Sequence, residues 1–139
     1  MSEIQFDESR FPLVIGSFGA TTGPEELEAF LTRLIALLAR GRHAFVLDAS
    51  QAGPLPALLR RRQAEWNAEN TTTIIRRSAG VAIVVTSTLV HGTVTAIHWL
   101  QPPPYPFTIV AARADGEAWC LERLKRPMNG SRSLGARVT

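Results

Sequence analysis

The run Gly80-Val81-Ala82-Ile83-Val84-Val85 has no polar side chain to offer solvent on either face of an extended chain. Successive residues of a strand point to opposite faces, so such a strand needs apolar cover above and below. Helices on a mostly parallel sheet supply that cover, and the chain is read as α/β, with this run as the middle strand. Its 139 residues suit a single domain, long enough to bury most of the surface the unfolded chain exposes.

The other segments alternate in kind. Ile4 to Asp7 and Leu13 to Phe18 read as two short strands joined by a turn at Ser9 and Arg10, a hairpin. Leu27, Phe30, Leu31, Leu34, Leu37 and Leu38 recur at spacings of three and four, the stripe of an amphipathic helix. Thr22 and Glu25 are placed to form its capping box, and Arg40 with Gly41 marks its end. Ala44 to Leu47 is an apolar strand ending in Asp48, and a loop runs from there to Pro54. A second helix is expected from about Pro56 to Asn70, with Leu55, Leu58, Leu59, Gln63 and Trp66 on or near one face. Thr86, Ser87 and Thr88 offer capping hydroxyls for a third helix, which Pro102-Pro103-Pro104 ends. Phe107 to Ala111 is the last strand. A fourth helix follows to about Lys125, with Ala118, Leu121 and Leu124 turned inward. The order is ββαβαβαβα: one mixed, mostly parallel sheet with an N-terminal hairpin and about four helices. Residues 1–126 form the expected domain, and 127–139, rich in Gly, Ser and Arg, a disordered tail.

Composition narrows the function. The formal net charge is +3, and Arg60-Arg61-Arg62 fan out at about 100° per residue on a helix, so they make no continuous phosphate-gripping face. Nucleic acid is therefore not an expected partner. No stretch is long and apolar enough to span a membrane. One cysteine, Cys120, cannot make an internal disulfide, and no signal-like segment opens the chain, so a cytoplasmic location is expected. Phosphate-binding glycine loops, nucleophile elbows and zinc motifs are absent. His91 and His98 would lie about 10 Å apart along their helix, too far to share a metal ion. No enzyme activity, cofactor or metal is expected.

The element order and the strand Ala44-Phe45-Val46-Leu47-Asp48-Ala49-Ser50 resemble STAS domains, the anti-sigma-factor antagonist family, and especially their divergent SpoIIAA-like relatives. The likeness covers most of residues 3 to 125. It implies a non-catalytic regulatory or scaffolding module that docks another protein. In STAS switches a phosphorylatable serine opens the second helix. Here Gln51-Ala52-Gly53-Pro54-Leu55-Pro56 has no hydroxyl, and Ser50 is the nearest candidate phosphoacceptor.

Two functional classes follow. A protein-docking surface would be built from Asp48, Ser50, Arg60, Arg61 and Trp66. A homo-oligomer is a further candidate assembly, since a hairpin edge and apolar helix faces can pair with a second copy. The alternative is a carrier or sensor of a small apolar ligand or lipid, using Val94, Ile97, Trp99, Tyr105 and Phe107, a reading also prompted by the likeness of SpoIIAA-like folds to CRAL-TRIO lipid carriers. Pro102-Pro103-Pro104-Tyr105 is taken as a stiff connector directing Tyr105 and Phe107 onto the core.

Overall fold

In the computed structural model the described residues are 4–53, 55–100 and 102–126, the side chains of residues 93 and 96–100 excepted. The expected tail, 127–139, lies outside them.

The strands are β1 (Gln5–Arg10), β2 (Leu13–Ser17), β3 (His43–Asp48), β4 (Ser78–Val84) and β5 (Phe107–Val110). They form one sheet in the order β1-β2-β3-β4-β5, antiparallel at β1–β2 and parallel elsewhere. The hairpin forms as expected, but its turn falls at Phe11-Pro12, because Ser9 and Arg10 still belong to β1. β4 is buried along its whole length, yet the middle position belongs to β3. An apolar run reports that a strand is interior, not where it stands in the order.

The helices among the described residues are α1 (Pro24–Arg40), α2 (Ala57–Glu69), α3 (Thr71–Arg77), α4 (Thr88–Leu100) and α5 (Arg113–Leu124). Every parallel crossover moves one strand in the same direction. The right-handed rule then puts all the connecting helices on the same face. The packing agrees: Leu27, Phe30, Trp66, Ile74 and Val90 from α1 to α4 join Val14, Phe45, Val81 and Ile83 in one core. No further strand follows α5 among the described residues, and it covers the other face, where Cys120 and Trp119 meet Leu13, Ile15, Val46 and Val84.

Several local expectations are corrected. The α1 cap is Gly23, whose N–H donates to Glu26 Oε1 at 2.9 Å, one residue beyond the Thr22–Glu25 pairing. Ser87 does cap α4, accepting from the Val90 N–H at 3.3 Å. α3 is an extra helix whose β-branched sequence, Thr-Thr-Thr-Ile-Ile, is poor in helix formers. Leu58 does not face inward but is 74% exposed. On α5, Ala118 and Leu121 face solvent, while Gly116 and Cys120 are buried.

Small residues explain how close α5 lies. A Cβ on Gly116 would stand 3.3 Å from Ala82 Cβ and 3.5 Å from both Val46 Cγ1 and Val110 Cγ2. The C-terminal end of α5 is held by Arg42, whose guanidinium donates to the carbonyls of Leu124, Arg123 and Arg126. Burial pushes the Cys120 thiol up to about 12, and its S–H donates to the Phe45 carbonyl at 3.4 Å. It is a packed, inert thiol.

Candidate functional site

α1, α2 and α3 lie further from the sheet than α5 does, and a cavity of about 520 Å³, open to solvent on part of its boundary, occupies the space between. Its two long walls differ in chemistry. Leu27, Phe30 and Leu34 of α1 with Phe45, Leu47 and Ile83 of the sheet make an apolar wall. Phe30 lies within 5.1–6.3 Å, ring centre to ring centre, of Phe6, Phe18 and Phe45. Opposite stand Arg60, Gln63, Ala64, Asn67, Ala68 and Thr71. Their spacings of three and four are those of one helix face, and that face is polar and small.

Trp66 also lines the cavity. It is 5% exposed, and its indole N–H has no hydrogen-bond partner among the described residues. Buried indole N–H groups ordinarily find an acceptor. Gln63 Nε2 donates to Asn67 Oδ1 at 3.2 Å. Arg60 Nη1 donates to the Leu55 carbonyl at 2.7 Å, which draws the loop before α2 against the helix.

The cavity runs the length of β3, with Ala49, Ala52 and Leu55 at one end and His43 and Ser78 at the other. His43 is buried and its Nδ1 lies 3.0 Å from the Gly41 carbonyl, which can only accept, so Nδ1 carries the proton. Burial pushes the His43 imidazole below its usual value, against the pull of the Gly41 carbonyl. A lowered folded-state value means that the unfolded chain binds the proton more readily. The stability contributed by neutral His43 is thus complete above about 6.5 and is lost as pH falls toward and through the folded value. The urea midpoint is expected to drop between pH 7.5 and pH 5.5, and His43→Leu to lessen the drop. A wild-type midpoint flat across that window would refute a neutral, buried His43.

Tyr105 packs against the same core and lines the cavity with Pro102, Pro103 and Pro104. Burial pushes its hydroxyl up to about 12, so it remains a neutral donor. Of the other expected apolar-ligand residues, Val94 lines the cavity. Phe107 is 37% exposed and is not among the lining residues. The side chains of Ile97 and Trp99 lie outside the described residues.

The expected docking residues do not share a surface. Asp48 and Ser50 sit at the carboxyl edge of the sheet, where Asp48 Oδ1 accepts from the Ser50 N–H at 3.0 Å and hydroxyl at 2.6 Å. Arg113, the first residue of α5, donates to Asp48 Oδ2 from Nε at 2.9 Å and Nη2 at 2.7 Å, and to Ser17 Oγ at 3.1 Å. Burial works to raise the Asp48 carboxyl, but Ser50 and Arg113 outweigh it and hold it below the usual carboxylate range. A phosphoryl group on Ser50 would stand against that carboxylate. Sequence reasoning missed Arg113, and nothing in Ala112-Arg113-Ala114-Asp115 signals a partner so distant in the chain. Arg61 is exposed on α2, whereas Trp66, expected beside it on the surface, faces the interior. Among the described residues no cluster of three or more His, Cys, Asp or Glu side chains is arranged to hold a metal ion, and no helix is long and apolar enough to cross a membrane.

Sheet order, connections and a lone helix on the second face define a SpoIIAA-like α/β fold, as the strand ending in Asp48 and Ser50 led us to expect. A similar solved structure is the crystal structure of an uncharacterised protein from the DUF3478 family, with a SpoIIAA-like fold, from Shewanella loihica PV-4. It shares 15% identity, covers 86% of this chain and 95% of its own, and superposes with a TM-score of 0.61. No family model matches the sequence, nor does any curated protein.

Proposed function

We propose that this domain is a carrier or sensor that binds a small, mostly apolar ligand between α1, α2–α3 and the sheet. The observation that carries this reading is the cavity of about 520 Å³ between an apolar wall and the polar inner face of α2. Protein interiors pack to crystal density and leave few voids larger than a water molecule, whereas ligand sites occupy about 300–1,000 Å³ and pair apolar walls with a few polar groups. Native mass spectrometry of freshly purified protein is expected to show an added mass that organic extraction removes. Bare polypeptide, together with no uptake of an apolar dye, would reject the proposal.

A protein partner, the first expectation from the resemblance, is kept as a second reading on one observation. Leu58 is 74% exposed and lies one turn from exposed Arg61 on the outer side of α2. Arginine is enriched at docking hot spots whereas leucine is not, so Arg61 would carry such a face, with Trp66 no longer available as its anchor.

A further inference from the structure

The cavity bears a charge of one sign. No aspartate, glutamate or lysine is among the described residues that line it, and Arg60 is the one arginine. The ion pairs among the described residues engage Arg10, Arg33, Arg40, Arg62, Arg113 and Lys125, not Arg60. Of the five N–H donors of a guanidinium, the Arg60 side chain commits one, Nη1, to the Leu55 carbonyl. That bond fixes the group beside the cavity and leaves its other donors uncommitted. A planar guanidinium matches a carboxylate with two parallel hydrogen bonds. A guanidinium at one wall and Phe30, Phe45 and Ile83 at the other describe a molecule with an anionic head and an apolar body. One cation suits a monocarboxylate. A phosphate, with more charge and more acceptor oxygens, would call for further basic groups that the wall does not supply.

We propose that the ligand is an apolar monocarboxylic acid whose carboxylate is held by Arg60, with its hydrocarbon part against the α1 and sheet side chains. This rests on the reading of the cavity as a ligand site. At about 30 Å³ per water-sized unit, the volume accommodates about seventeen non-hydrogen atoms, so a ten-carbon chain with its carboxylate fits.

The test is calorimetric titration of the full chain with decanoate, decanol and decylamine, using wild type, Arg60→Gln, Arg60→Lys and Arg61→Gln. Wild type is expected to take decanoate at least tenfold more tightly than decanol, as a charge-assisted hydrogen bond provides, and to take decylamine most weakly. Arg60→Gln should lose the preference for the acid while still binding decanol, Arg60→Lys, which keeps the charge but not the planar fork, should retain only part of it, and Arg61→Gln should retain it entirely. Equal binding of acid and alcohol by wild type, or a preference that survives Arg60→Gln in a folded variant, overturns the assignment of the carboxylate to Arg60 and leaves the apolar-ligand reading standing. No binding of any of the three overturns both.

Discussion

Gly80→Ala is expected to destabilise the domain by about 2–5 kcal/mol, combining a backbone cost with an overpacking cost. The two parts can be separated, because Gly41 has a similarly positive φ without the neighbours. Gly80 has φ +156° and Gly41 φ +143°, a region L side chains rarely adopt. A Cβ on Gly41 would meet nothing within 4 Å, whereas one on Gly80 would stand 2.8 Å from Cη2 and Cζ3 of Trp119. Gly41→Ala should therefore cost about 1–2 kcal/mol, the backbone part alone, and Gly80→Ala about 1–3 kcal/mol more, because the indole must move. Against a typical domain stability of about 5–15 kcal/mol, the Gly80 substitution removes a large fraction. Urea unfolding of both variants and of Gly80→Ala with Trp119→Leu measures it. Equal losses for the two glycines, or no relief from Trp119→Leu, would show that the ring does not rest on the β4 backbone.

Ala64→Phe is expected to weaken ligand binding about a hundredfold without unfolding the chain. Ala64 lies on the inner face of α2 between Gln63 and Asn67 in the cavity wall, so a phenyl ring there enters space that a ligand would use. Displacing about four methylenes of ligand forfeits about 3 kcal/mol at roughly 0.8 kcal/mol each, about a hundredfold in affinity. Folding stability should hold or rise, since the ring gains contacts where there was empty volume. Ala57→Phe, at an exposed position of the same helix that does not line the cavity, controls for the added bulk. The readout is the ligand mass retained in native mass spectrometry. Retention by a folded Ala64→Phe protein would mean that the ligand binds elsewhere.

The two helices of the cavity wall are also where the sequence was least legible, and for a physical reason. Periodicity finds a helix face when that face packs on a core, as it did for Leu27, Phe30, Leu31 and Leu38 of α1. The inner face of α2 carries Arg60, Gln63 and Asn67, continued by Thr71 at the start of α3, because it borders a cavity, and a search for apolar spacing settles on Leu58, which points outward. α3 escaped because its threonines and isoleucines favour extended chain, and burial of Ile74 at 3% exposure is what holds it as a helix. On α5 the inward positions are glycine and cysteine. A helix lying close to a sheet needs small residues there, and a stripe of large ones misleads. The strands were legible because Val14, Val46 and Ala82, each at 0% exposure, sit in runs apolar on both sides. Of the residues expected for an apolar ligand, Val94 and Tyr105 line the cavity, and so do Arg60 and Trp66, which had been assigned to an outer surface. Nothing in a linear chain distinguishes a polar helix face turned to water from one turned to a ligand.

Because the strands stand in space in the order of synthesis, each can add to an existing edge as it leaves the ribosome, with no later insertion between neighbours. The second face of the sheet must nevertheless wait. Leu13, Ile15, Ala44, Val46, Ala82 and Val84 are in place once β4 has formed, but the helix that shields them is the last element among the described residues. A nascent or truncated chain ending before Arg113 would present that whole greasy strip to its surroundings, and would be a substrate for chaperones and proteases rather than a smaller working protein.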